Sequence, residues 1–163
     1  MVGCIDEDPD QGMAVTRERK VQVARRSFDL LTDKYGLCPE DIIFDPLVFP
    51  LGTGDKNYVG AGEETIAGVR KIKEELPTCK TILGISNVSF GLPAAGREVL
   101  NSVFLYECVK AGLDLAIVNT EKLERYASIS DEEKSLSRDL IFWRGADPVA
   151  EFAAQFRDKK EAV

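Results

Sequence analysis

The sequence predicts an α/β fold, a parallel sheet whose strands are joined by right-handed helical crossovers. Three observations predict it. Four short apolar runs alternate with longer stretches in which apolar residues recur every three or four positions. The run Ile42-Ile43-Phe44 is continuous, β-branched and aromatic, as expected of a strand covered on both faces. The length of 163 residues, 44% of them hydrophobic, suits one domain with a sizeable core.

The first run is residues 2–5, closed by Asp6-Glu7 and a polar turn, DEDPDQG. A helix follows. Thr16 is its expected N-cap, Val21, Ala24, Phe28, Leu31 and Tyr35 form its apolar face, and Gly36 stops it. The second strand is Ile42-Ile43-Phe44, ending at Asp45-Pro46. A Gly-rich loop with Gly52, Gly54, Gly60 and Gly62 leads to a helix carrying Ile66, Val69, Ile72 and Leu76, which Pro77 ends. The third strand, residues 81–85, runs into Ser86-Asn87-Val88-Ser89-Phe90-Gly91. Its helix carries Val99, Val103, Phe104 and Ala111, with Gly112 as the stop. The fourth strand is residues 113–118, ending at Asn119. Ser130 with Glu133 matches a capping box that opens a helix through Leu136 and Leu140. Asp147-Pro148 opens a last short helix with Val149, Phe152 and Phe156 inward, and a frayed tail is expected from Lys159.

Composition excludes several functions. A net charge of −7 argues against a nucleic-acid partner, because phosphate binding needs clustered Lys and Arg. The apolar runs are too short to cross a bilayer and no signal peptide opens the chain, so a cytoplasmic protein with no membrane partner is expected. Cys4, Cys38, Cys79 and Cys108 lie far apart, without the spacing of a metal site or a redox dithiol; they read as reduced, mostly buried thiols. No histidine is present, which rules out a Ser-His-Asp triad, a His-based zinc site and a His ligand to cobalamin or haem. No bound metal is expected.

In parallel βα folds the ligand sits beyond the carboxyl ends of the strands. The residues there are Asp6, Asp45, Asn87 and Asn119. All four are short hydrogen-bond acceptors, and the two amides also donate. A ring with several amide-like edges, such as a pterin, needs that mixture. Asp and Asn also favour turns and helix N-caps, which is the simpler account of Asp6 and Asn119. Asp45 stands out because Pro46 follows it and the next helix starts well downstream. Asn87 stands out because Ser86, Ser89 and Gly91 surround it with a polar loop. Arg97, near the start of the third helix, is either a solvated arginine or a contact for a carboxylate or pterin edge. The Gly-rich loop lacks the Gly-Lys-Ser/Thr ending of a phosphate loop; it reads as a flexible loop, either a plain connector, the favoured account, or a segment that closes over a ligand.

The strings IIFDPLVFPLGTG, LGISNVSFG, REVLNSVFLY and GLDLAIVNTEKLERY resemble the methyltetrahydrofolate-binding domain of cobalamin-dependent methionine synthases, over nearly the whole chain. That domain is an eight-stranded barrel, and the resemblance covers its strands five to eight. The implied fold is a parallel (βα) half-barrel of four βα units. A full barrel needs about 250 residues. The resemblance implies that Asp45 binds the pterin ring, that Asn87 lies by the methyl-bearing ring nitrogen as the catalytic residue, and that Arg97 contacts the folate. Ser86, Asp6 and Asn119 complete the expected substrate-binding set. The family's other pterin-binding Asp and Asn lie on strands three and four, outside this match. A second Arg that some members carry is missing, since the loop reads GLPAAG.

The implied reaction moves a methyl group from 5-methyltetrahydrofolate to cobalamin held on a separate module. Residues 1–145 are assigned to the half-barrel and 146–163 to a C-terminal helix leading towards a linker. The implied partners are folate, a cobalamin-binding module, and either the N-terminal half of the barrel or a second copy of the chain. A methyltetrahydrofolate:corrinoid iron–sulfur protein methyltransferase shares the same strands and is the nearest rival. An inactive half-barrel that self-associates is another. Dihydropteroate synthase shares the fold, but its Ser-Arg-Lys and Arg-x-His motifs are absent.

Overall fold

Strands β1 (Val2–Gly3), β2 (Ile43–Asp45), β3 (Lys80–Gly84) and β4 (Leu115–Ile117) form one parallel sheet in sequence order. The computed structural model describes residues 1–157 and 159. Helices α1 (Arg17–Asp29), α2 (Ala61–Glu75) and α3 (Ala94–Lys110) make the crossovers, and α4 (Asp131–Ile141) and α5 (Pro148–Phe156) follow. The register pairs Val2 with Phe44, Phe44 with Thr81, and Leu83 with Ala116. This is the predicted α/β architecture, a partial barrel of four parallel strands. The frayed tail expected beyond Lys159 lies outside the described residues.

Local chemistry explains the boundaries. Thr16 caps α1 by accepting from the Arg19 N–H, and Ser130 and Glu133 form the reciprocal capping box of α4. Asp147 caps α5, with Pro148 in its first turn. Gly36 takes φ +67° where the first helical segment stops. Replacing Ser130 by alanine should cost about 1 kcal/mol, read as a shift in the urea midpoint of unfolding.

Three expectations need correction. β1 stops at Gly3; Ile5 instead bridges Met13 in an antiparallel pair that closes the following loop, so Asp6 sits in a loop. The first helix stays α-helical only to Asp29 and finishes as one π turn over Leu30–Lys34. The wider turn rotates Tyr35 off the apolar face, and it is 60% exposed. The fully buried residues of α1 are Lys20, Val23 and Ala24.

The third correction concerns the sheet. Ile42 and Phe44 are buried under the helices, but Ile43 between them is only half-buried. Among the described residues, helices cover one face of the four-stranded sheet and nothing covers the other. On β4, Leu115 and Ile117 share the face of Ile82 and Gly84 and are 41% and 58% exposed. The larger core lies among the sheet and α2, α3, α4 and α5, around Leu83, Val103, Phe104, Leu140 and Phe152. A smaller one joins α1, β2 and α2 through Val23, Ala24, Phe44 and Ile72, with Val2 of β1 packed against it. No described helix is long and apolar enough to cross a membrane.

Candidate functional site

The carboxyl ends of β2 and β3 open onto a cleft of 380 Å³. Asp45, Leu47, Val48, Phe49, Tyr58 and Asn87 are among its lining residues. Pro46 ends the β2 ladder because it has no N–H to donate. The chain then turns back on itself. Asp45 Oδ1 accepts the Leu47 N–H at 2.9 Å, and Leu47 adopts φ +69°, a conformation costly for a side chain branched beyond Cβ. Among the described residues, the other Asp45 oxygen has no hydrogen-bond partner.

Asn87 lies in a single 3-10 turn over Ile85–Ser89 that follows β3. Its Nδ2 donates to the Val48 carbonyl at 2.5 Å, which ties the ends of the two strands together. That bond uses one of the amide's two N–H donors and leaves the acceptor oxygen and the second N–H for a ligand. Phe49 and Tyr58 stack at 4.9 Å and form an aromatic wall. Gly52 is needed nearby because a Cβ there would lie 2.4 Å from Leu92 Cγ, where the loops after β2 and β3 meet.

The other predicted residues separate. Ser86, Arg97 and Asn119 line a second cavity of 240 Å³ between α3 and the end of β4, with Glu98, Asn101 and Lys122. Arg97 Nε donates to Ser89 Oγ at 3.1 Å, which seats the guanidinium on the Asn87 turn. Asn119 Oδ1 accepts the Glu121 N–H, the local turn role that its residue type favours. Asn101 Oδ1 is buried with no partner among the described residues. Asp6 lines neither cavity. Its carboxylate pairs with Arg19 at 2.5 Å and Arg26 at 3.4 Å on α1.

Sequence reasoning missed Tyr58, Leu47 and Lys20. Tyr58 sits in a loop read as a connector, and nothing in its spacing marked it. Lys20 is buried under the cleft, with its Nζ against the carbonyls of Ala14, Pro46 and Leu47. Burial pushes its ammonium down to about 8, against the pull of Cys4, Glu64 and Asp45. Burial also pushes the Cys4 thiol up to about 12.

These shifts set a pH dependence. Between about 8 and 10.5 the unfolded chain binds more protons at Lys20 than the folded one, so stability rises with pH. Above 9 Cys4 opposes this, because the folded thiol keeps a proton that the unfolded one loses. From pH 8 to 9 the unfolding free energy should therefore climb, by at most about 1.4 kcal/mol. Urea titrations across that window should show the climb in the parent sequence and its loss in Lys20→Met.

Cys4, Cys79 and Cys108 are buried, Cys38 is exposed, and all four are free. Among the described residues no group of three or more His, Cys, Asp or Glu is placed to hold a metal.

Comparison with known proteins bears on this geometry. Residues 2–119 match the family described as pterin binding enzyme. The chain is 39% identical over 150 residues to methionine synthase of Mycobacterium tuberculosis, an alignment covering 90% of the chain and 13% of that protein. It is 40% identical over 151 residues to methionine synthase of Mycobacterium leprae, covering 91% and 12%. The chain thus spans a small fraction of the length of these relatives.

Proposed function

Because the chain belongs to the pterin binding enzyme family, we propose that it is the folate-binding part of a methyltransferase of the methionine synthase type. In this reading it supplies half of the site from which a methyl group leaves 5-methyltetrahydrofolate for a cobalamin cofactor. The supporting observation is the pairing of Asp45 and Asn87 on neighbouring strand ends in one cleft. Asp45 anchors the pterin through its free oxygen by a charge-assisted bond, which fixes the methyl group for in-line attack. An amine leaves poorly unless protonated, so the methyl-bearing nitrogen takes a proton from solvent before or during transfer, and the C–N electron pair then returns to it. An amide does not titrate in this range, so Asn87 is not the acid. Its Oδ1 accepts from the protonated nitrogen, as the engagement of Nδ2 with Val48 favours. Cobalamin, on a separate module, supplies the nucleophile. Ser86, Arg97 and Asn119 form a neighbouring subsite for the rest of the folate, and Asp6 braces α1.

Residues 1–145 would be the half-barrel and 146–163 the segment, helical over Pro148–Phe156, that leads to the next part of a longer protein. Calorimetric titration of methyltetrahydrofolate into the parent protein, the longer methyltransferase that this reading implies, tests the site. Asn87→Ala should weaken binding by up to about tenfold, the worth of one ordinary hydrogen bond. Unchanged affinity would remove Asn87 from the site.

A second reading concerns the 163-residue chain by itself. Among the described residues, the sheet face that no helix covers carries Leu115 and Ile117, and β4 pairs on one side only. Such a face and edge favour association, here with a second copy that closes the sheet in place of the missing half. Light scattering should give a dimer, and Ile117→Asp should shift it to monomer. A monodisperse monomer of the parent sequence would rule this out.

A further inference from the structure

We propose that Lys20 is a positioning residue for the Asp45–Asn87 cleft, holding the loop that joins them in its binding geometry. The proposal rests on the folate-site reading above. Lys20 leaves α1 fully buried and ends beneath the carboxyl end of β2. Its Nζ donates to Pro46 O at 2.5 Å and Ala14 O at 2.8 Å, with Leu47 O at 3.4 Å. It also lies 5.0 Å from the centre of the Phe49 ring.

Three features separate this from ordinary packing. First, an ammonium is costly to bury, and a methionine of similar length would fill the space more cheaply. Second, the neighbouring helix is cut to admit the stem: a Cβ on Gly68 of α2 would lie 2.6 Å from Lys20 Cδ. Third, the backbone it grips is strained. Leu47 sits at φ +69°, and its carbonyl also accepts from Thr65 Oγ1 at 3.0 Å. Strain of this kind persists only where the surroundings over-determine it. The gripped segment begins at Asp45 and reaches Val48, whose carbonyl receives Asn87 Nδ2. One ammonium thereby sets the separation of the two groups read as pterin ligands.

The test uses two variants. Lys20→Met removes the donor. Gly68→Ala keeps the charge, displaces the stem and favours the helix, so it remains folded. Nuclear magnetic resonance on the 163-residue chain should show the Leu47 amide exchanging at least tenfold faster in both variants. The Asn87 side-chain NH₂ signals should shift, while Val103 and Phe104 in α3 keep their protection. In the parent protein, methyltetrahydrofolate affinity should fall by about tenfold in both. Unchanged Leu47 exchange and Asn87 signals in Gly68→Ala would overturn the proposal, and so would equal loss of protection at Leu47 and in α3. If the unaltered parent protein does not bind methyltetrahydrofolate, the folate-site reading fails instead, and the exchange data still decide whether Lys20 sets the loop.

Discussion

Asp45→Ala should weaken methyltetrahydrofolate binding to the parent protein by about a hundredfold or more, with the fold retained. A hydrogen bond to a charged group contributes about 1.5–3 kcal/mol, and a carboxylate facing a pterin edge can accept two. Each 1.4 kcal/mol is about tenfold in affinity. The residue does a second job, since its Oδ1 holds the Leu47 N–H. Asp45→Asn separates the two. It keeps an acceptor for the turn and removes the charge, so it should lose affinity while Leu47 stays protected from exchange. Calorimetry reads the first effect and hydrogen exchange the second. Equal affinity in the parent and Asp45→Ala proteins would remove Asp45 from the site.

Phe104→Ala should cost about 3–5 kcal/mol of stability. Phe104 is fully buried on α3 within the larger core, beside residues contributed by β3, α4 and α5. The neighbours belong to several elements and cannot all collapse into the void, so the cavity term adds to the lost transfer energy. A domain of this size holds roughly 5–15 kcal/mol in total, so the variant should unfold at a much lower urea concentration. The slope of the transition should be unchanged. Phe90→Ala is the matched control. Phe90 is 59% exposed, and its truncation should stay within about 0.5 kcal/mol.

Much of the fold was legible because local chemistry and tertiary packing agree along the chain. The caps at Thr16, Ser130 and Asp147 are local, depending on residues three or four positions away, and all three occur as read. The apolar faces of α2 and α3 follow the same logic. Where the reading slipped, the cause lay outside side-chain period. Tyr35 fits the apolar spacing of the first helix, yet a single π turn moves it outward. The continuous run Ile42-Ile43-Phe44 marks a strand with two covered faces, but the described residues cover only one.

The cleft divides in the same way. Asp45 and Asn87 could be singled out because strand ends are the places where parallel folds put ligands. Lys20 could not, since a lysine within a helix reads as solvent-facing until its neighbours are known. Its burial depends on Gly68, 48 positions along the chain, and on the carbonyls of Pro46 and Leu47.

The sequence by itself determined the succession of strands and helices, their caps, and the polar residues at the strand ends. Those follow from side-chain period and from hydrogen bonds within a few residues. Only the tertiary structure decided that Asp45 and Asn87 share a cleft, that Ser86, Arg97 and Asn119 share another, and that Asp6 is taken up by Arg19 and Arg26. Strand register and the path of a strained loop set those separations, and both are fixed by contacts between residues far apart in the chain.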